Sequence, residues 1–127
     1  MKYLSESQII EINRRAIELY SSKEPIGVVD SNALNMIVEQ PKQHVFGEEQ
    51  YPTIIDKAAF IYQRLVLKHV FINANKRTAF YALNIFLEMN NHTLEVGTDE
   101  AVAFTVKIAT DTLSDTEVKE WISKYMK

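Results

Sequence analysis

In HVFINANKRTAF, residues 69–80, a histidine, two asparagines and a Lys-Arg pair sit between apolar flanks. Histidine is the side chain best suited to taking a proton from a hydroxyl near neutral pH, so His69 has the chemistry of a general base. Lys76 and Arg77 fall where a helix is expected to begin. The first N–H groups of a helix lack intrahelical partners, and the helix dipole adds positive potential there. Such an end receives phosphate readily. Two cations at that end oppose the dipole unless an anion joins them, and sequences break local rules of this kind where function requires it. The Asn75 amide can hold loop carbonyls or a phosphate oxygen, and Phe71 reads as the anchor of the loop. Together these residues describe a phosphate cradle with a base at its edge, the layout that phosphoryl transfer needs. The plainer reading stays open on these residues alone. A histidine beside an apolar stretch is commonly a satisfied structural residue, and an Asn-Lys-Arg run is commonly a solvated helix start.

The elements that must position this stretch read as helices. Ser5 and Gln8 have the spacing of a capping box, followed by Ile9, Ile12, Ala16 and Leu19 at helical intervals, with a stop near Ser21-Ser22. A second helix starts at Asp30 or Ser31, turns Leu34, Ile37 and Val38 inward, and ends before Pro41. PKQHVFGEEQYP, residues 41–52, is a loop with a short extended piece at Gln43-His44-Val45-Phe46. Thr53 caps the next helix with Asp56 as its partner, and Ile55, Ala58, Ala59, Tyr62, Leu65 and Val66 form its apolar face. Asn73 to Arg77 form a loop feeding a helix that runs to Asn90-Asn91. Thr93–Val96 is a short extended segment. A helix follows Thr98 to about Thr110, and Ser114 with Glu117 opens the last one, with Val118, Trp121, Ile122 and Tyr125 inward. The expectation is one all-α domain over residues 1–127, with about six helices.

Composition bounds the function. The chain has 127 residues, 46 % apolar and 24 % charged, within the range of an ordinary globular domain. The absence of an apolar run long enough to span a bilayer predicts no membrane insertion, and MKYLSESQIIEINRR turns polar too early for a signal peptide. With no cysteine there is no disulfide framework or thiolate chemistry, and a cytoplasmic location is expected. A net charge of −3 argues against direct nucleic-acid binding. Glycines at 27, 47 and 97 alone leave no Gly-rich nucleotide loop, and no P-loop or HExxH motif occurs. His44 and His92 fall in other loops, so a three-histidine metal site with His69 is not expected.

His69-Val70-Phe71-Ile72-Asn73-Ala74-Asn75-Lys76-Arg77-Thr78 resembles the Fic/Doc motif, in the form H-x-F-x-D-A-N-K-R-T of its Doc branch. Gln40-Pro41, Phe46-Gly47-x-Glu49-x-Tyr51-Pro52-Thr53, Lys57-Ala58-Ala59 and the Trp121 tail extend the resemblance over nearly the whole chain. It implies a compact helical fold with a small β-flap. Fic proteins generally transfer AMP from ATP to protein hydroxyls. Doc-type members act as kinases that move the terminal phosphate of ATP onto a threonine of elongation factor Tu. By position, the resemblance makes His69 the base and Ala74, Asn75, Lys76 and Arg77 the phosphate holders. The segment Gln43, His44, Val45, Phe46 and Gly47 becomes a flap that aligns the target by strand addition. ATP and Mg²⁺ are the implied cofactors. Lys76 stands where AMP-transferring relatives carry glycine, and its long side chain narrows the anion hole, which favours the kinase outcome. Phe80 replaces the second arginine of the general pattern.

One departure concerns Asn73, which occupies the place of the acid that supports Mg²⁺. An amide oxygen can ligate a hard cation, but removing a unit charge about 4 Å away weakens binding by up to about 4 kcal/mol at an effective dielectric near 20. A working but metal-impaired transferase is therefore expected. Self-restrained relatives carry [ST]-x-x-x-E-[GN], yet no glutamate here precedes Gly or Asn. Restraint is expected from a Phd-type antitoxin whose disordered tail folds onto the toxin. AMP transfer, an inactive binding module and a ribonuclease using His69 with Lys76 and Arg77 are the rival readings.

Overall fold

The computed structural model describes residues 1–20 and 22–127. Six α-helices are present: α1 (Glu6–Tyr20), α2 (Ser31–Glu39), α3 (Ile54–Leu67), α4 (Asn75–Met89), α5 (Thr98–Thr110) and α6 (Asp115–Tyr125). Between α2 and α3 lie a 3-10 turn at Gln40–Lys42 and two short strands, β1 (His44–Val45) and β2 (Glu48–Glu49). The fold is all-α with a small β-flap, as the sequence implied.

The helix starts follow from local chemistry. Ser5 Oγ accepts from Gln8 N at 3.1 Å while Ser5 N donates to Gln8 Oε1 at 2.8 Å. Thr53 with Asp56, and Ser114 with Glu117, make the same reciprocal pairs, and each cap of this kind stabilises its helix by about 1 kcal/mol. The Asp30 carboxylate accepts from Ala33 N at 2.9 Å and opens α2. Pro41 does end α2, but the chain continues through a 3-10 turn rather than breaking at once. Its fixed φ suits the first turn of such a helix.

The central element is α3. It packs against α2, α4, α5 and α6, and Lys57 to Leu65 are buried with the exception of Arg64. Ala58 and Ala59 on this helix are 0 % and 4 % exposed, small residues at the centre of the contact. Phe86, Leu83 and Leu87 of α4, Ile37 of α2, Ile108 of α5 and Ile122 of α6 complete one continuous apolar cluster. Tyr62 is fully buried, and its hydroxyl pairs with Thr105 of α5, which in turn donates to the Ala101 carbonyl at 2.8 Å. Burial pushes the Tyr62 phenol well above its ordinary value. The expected extended piece at Thr93–Val96 lies beside the end of the chain: Thr93 and Lys127 exchange backbone hydrogen bonds at 3.0 and 2.8 Å.

One inward assignment changes. Leu19 is 72 % exposed, and Asn13 and Ile17 take the buried positions on α1. The buried face of α1 runs through Ile9, Ile12, Asn13, Ala16 and Ile17, and Leu19 lies beside that face rather than on it. The expected stop of α1 at Ser21-Ser22 falls partly on Ser21, which lies outside the described residues; Ser22 is in a turn.

Candidate active site

The site forms where α3 ends, turns and becomes α4. Lys68 closes α3 through its N–H to the Arg64 carbonyl at 2.9 Å. The next residue, His69, has φ +47°, the left-handed conformation that usually follows a helix as glycine or asparagine. The imidazole is exposed, and no hydrogen bond fixes it among the described residues. A β-carbon in this conformation is unfavourable by about 1 kcal/mol. The chain therefore holds the imidazole out to solvent at the expense of local stability.

Val70 and Phe71 then dive into the core at 0 % and 2 % exposure, so Phe71 is the anchor the sequence suggested. Residues 27–30 form a wall against this loop. The Val70 carbonyl accepts from Val29 N at 2.8 Å and Asp30 N at 3.2 Å, and Ile72 N donates to the Gly27 carbonyl at 3.0 Å. Gly27 lies close against the loop: a β-carbon there would sit 3.1 Å from Cδ1 of Ile72, whose tip would have to shift.

The start of α4 differs from the expected boundary. The loop is shorter than Asn73–Arg77, because Asn75, Lys76 and Arg77 already form the first helical turn. Ala74 precedes them at φ +60°, ψ +31°, with no side-chain cap. With no side-chain cap, the N–H groups of this first turn carry the partial positive charge of a helix start. The first turn of α4 contains no acid. Lys76 and Arg77 thus add charge to an end already positive from its dipole.

Each predicted site residue has a definite place. The Asn75 amide clasps the loop: Oδ1 accepts from Phe71 N at 3.0 Å and Nδ2 donates to Phe71 O at 2.9 Å. Of the two uses the sequence allowed, the side chain serves loop carbonyls and amides. The backbone N–H of Asn75 remains at the helix end. Lys76 is exposed. Arg77 turns back to α1, where Nη1 donates to the Ala16 carbonyl at 3.3 Å and the guanidinium lies 5.4 Å from the centre of the Tyr20 ring. Asn73 Nδ2 donates to the Pro25 carbonyl at 3.0 Å. Beside Lys76 and Arg77 opens a cavity of about 370 Å³, bounded by Phe80 and Tyr81 of α4 and by Val102 and Val106 of α5. Burial first, and then the Tyr20 hydroxyl, push the Tyr81 phenol above its ordinary value.

Two residues with structural control of this region escaped the sequence reading. Asn13, 1 % exposed on α1, donates through Nδ2 to the Asn73 carbonyl at 2.8 Å and to Thr78 Oγ1 at 3.0 Å. It ties the loop and the first turn of α4 to a third helix. Its signal was a polar residue on the apolar face of α1. The second is Lys57 on α3, also 1 % exposed.

Lys57 stands under the flap. β1 and β2 pair antiparallel, His44 opposite Glu49 and Val45 opposite Glu48. The expected loop with one extended piece is thus a hairpin, and Phe46 belongs to its turn rather than to a strand. Phe46 (φ +52°) and Gly47 (φ +81°) are both left-handed, as a two-residue type I′ connection requires. Asparagine or glycine usually fills the first of these positions; here a phenylalanine does, with its side chain wholly exposed.

For a magnesium ion the chain offers little. No group of three or more His, Cys, Asp or Glu that could hold a metal occurs among the described residues. With its nitrogen committed to Pro25, Asn73 presents one neutral oxygen. That donor set fits only an ion carried mainly by phosphate oxygens and water.

Comparison with known proteins agrees with this geometry. The sequence profile described as "Fic/DOC family" matches residues 3–87, which include the flap, the motif loop and nearly all of α4. A protein named Toxin Doc from Mycolicibacterium smegmatis is 33 % identical over 93 residues, covering 73 % of this chain and 67 % of that protein. With two thirds of the chain matched by the profile, and the exposed histidine, the clasped loop and the open helix end all inside the match, this protein belongs to the Fic/Doc family.

Proposed function

We propose that this protein is a Doc-type toxin that transfers the terminal phosphate of ATP to a threonine or serine hydroxyl of a target protein. Elongation factor Tu is the proposed target and arrested translation the outcome. The observation that carries the reading is the start of α4. Its first-turn amides have no side-chain cap, no acid accompanies them, and Lys76 and Arg77 add two cations. A helix end so charged attracts an anion.

In the proposed reaction the backbone N–H groups at 74–77 receive the phosphates. His69 accepts the proton of the target hydroxyl as its oxygen bonds to the γ-phosphorus. The bond from that phosphorus to the bridging oxygen breaks, and ADP leaves. Lys76 crowds the hole and limits it to a terminal phosphate. Magnesium, when bound with the nucleotide, neutralises charge on the phosphate oxygens, with Asn73 as its one protein ligand. The flap from Gln43 to Gln50 lies over the target segment and pairs with it along a free strand edge. Restraint comes from a Phd-type antitoxin; the name of the mycobacterial relative supports this, as does the lack of a self-inhibitory motif. The protein acts in the cytoplasm, where nucleotide and elongation factor are found, and no membrane or nucleic acid takes part. Among the described residues, no helix is long and apolar enough to cross a membrane.

Incubating the protein with elongation factor Tu and ATP labelled at the γ or the α position tests the proposal. Transfer of γ label, lost in His69→Ala, is expected, with a mass gain of about 80 Da on the target. Transfer of α label and a gain of about 329 Da would replace it with AMP transfer. No transfer of either label, with no thermal shift on adding Mg-ATP, would favour an inactive binding protein, the reading that Asn73 supports.

A further inference from the structure

The ammonium of Lys57 lies inside the molecule, and its partners come from both ends of the flap. Nζ donates to the Pro41 carbonyl at 2.9 Å on the incoming side and to the Tyr51 carbonyl on the outgoing side. It also meets Glu49 Oε1 of β2 at 3.4 Å. The Tyr3 ring lies 5.8 Å from it, with Lys42 5.5 Å from the same ring. Around this point the hairpin root is closed further. Gln50 N donates to the Gln43 carbonyl at 3.0 Å, Gln40 Nε2 donates to the Tyr51 hydroxyl at 3.1 Å, and Tyr51 packs on Phe60 with ring centres 4.9 Å apart.

A buried cation is unfavourable unless it is fully partnered, and a hydrocarbon side chain of similar volume would fill the place without desolvating a charge. What a hydrocarbon cannot do is hold two carbonyls ten positions apart in sequence and one carboxylate on the strand between them. Lys57 is also rooted in α3, the helix that delivers His69 at its other end. We infer that Lys57 is a positioning residue for target engagement. It fixes the flap to the same rigid helix that presents His69, so that the target hydroxyl arrives in register with the base. The Glu49 carboxylate, 45 % exposed, adds the link to β2 itself. This inference rests on the transfer reaction proposed above.

Hydrogen exchange on the full chain, together with transfer kinetics, tests it in Lys57→Met and Glu49→Gln. Both variants are expected to exchange faster at residues 43–50, with α3 and α4 unchanged. The KM for elongation factor Tu should rise about tenfold in Lys57→Met and about threefold in Glu49→Gln, while kcat and the thermal shift with Mg-ATP stay within about twofold of the parent. Unchanged flap exchange in the folded variants would overturn the inference, as would Mg-ATP affinity falling in step with KM. If Lys57→Met does not fold, Glu49→Gln decides alone by the same criteria. If the parent protein does not modify elongation factor Tu, the transfer reading fails, and exchange at 43–50 still decides whether Lys57 holds the flap.

Discussion

The motif loop and the flap, partners in the proposed reaction, are built in opposite ways. Both contain left-handed residues that are not glycine: His69 and Ala74 in the loop, Phe46 in the flap. The loop is fastened on every side. Asn13 holds it from α1, Asn75 clasps it from α4, Gly27 to Asp30 pair with it edge to edge, and Phe71 plugs it into the core. The flap is fastened at its root, through Lys57, the Gln50–Gln43 backbone bond and the contacts of Tyr51, and Phe46 at its tip is wholly exposed. In the proposed reaction this pairs a rigid reacting surface with a hinged recognition arm, a division suited to one chemistry applied to a bulky protein substrate. Strain in the loop is locked by its surroundings. Strain in the flap is free to relax when something binds.

That contrast can be broken most severely at His69. His69→Gly should lower transfer by a factor of about 10² to 10⁴. Because glycine suits φ +47°, the melting temperature should stay level or rise slightly. Labelling assays and thermal melts on the same preparation check both halves, and a large loss of stability would show that the imidazole has a structural task.

Next in size is Asn13→Ala. It leaves the Asn73 carbonyl and the Thr78 hydroxyl without their buried donor, an expected loss of about 2–4 kcal/mol in urea unfolding. Transfer should fall with it because the loop loses its tie to α1. An equally stable variant would mean that the loop does not depend on that fastening.

Asn73→Asp sharpens the picture of the loop's outer edge. It removes a donor to the Pro25 carbonyl and sets a carboxylate against that oxygen. A destabilisation of about 1 kcal/mol, or a melting point lower by about 4 °C, is expected. The same change supplies the charge a metal prefers, so ATP-dependent labelling should increase despite the lower melting point.

The smallest effect on stability belongs to the flap. Phe46→Asn places a residue suited to a type I′ turn at φ +52°, and unfolding free energy should rise by no more than about 1 kcal/mol. Loss of the exposed ring should at the same time raise the KM for the target, with kcat retained. Equal target affinity would show that the ring makes no contact with it.

What the sequence revealed about this molecule was mostly what happens within one helical turn. The Ser5-Gln8, Thr53-Asp56 and Ser114-Glu117 caps each join residues three apart, and each formed as read. Phe71 was legible as an anchor from its apolar neighbours. The residues that organise the site from a distance were not. The partners of Asn13 are 60 and 65 positions away, and on α1 it looks like an interruption of an apolar stripe. Lys57 sits on a helix otherwise read as amphipathic, and only the path of the flap over α3 explains its burial. The start of α4 was misplaced because Ala74 has none of the side-chain oxygens that mark a helix N-terminus. The β-flap came from the resemblance rather than from local pattern, because Phe-Gly is not a usual turn pair.

Gly27 gives this arrangement an adjustable setting. It lies outside the motif and touches no proposed substrate, yet only 3.1 Å separates the place of its missing methyl from the end of the Ile72 side chain. Alanine there would nudge a rotatable tip, and valine would push the backbone wall itself. A graded series at this one position would press on the motif loop by degrees while leaving every residue of the proposed site in place.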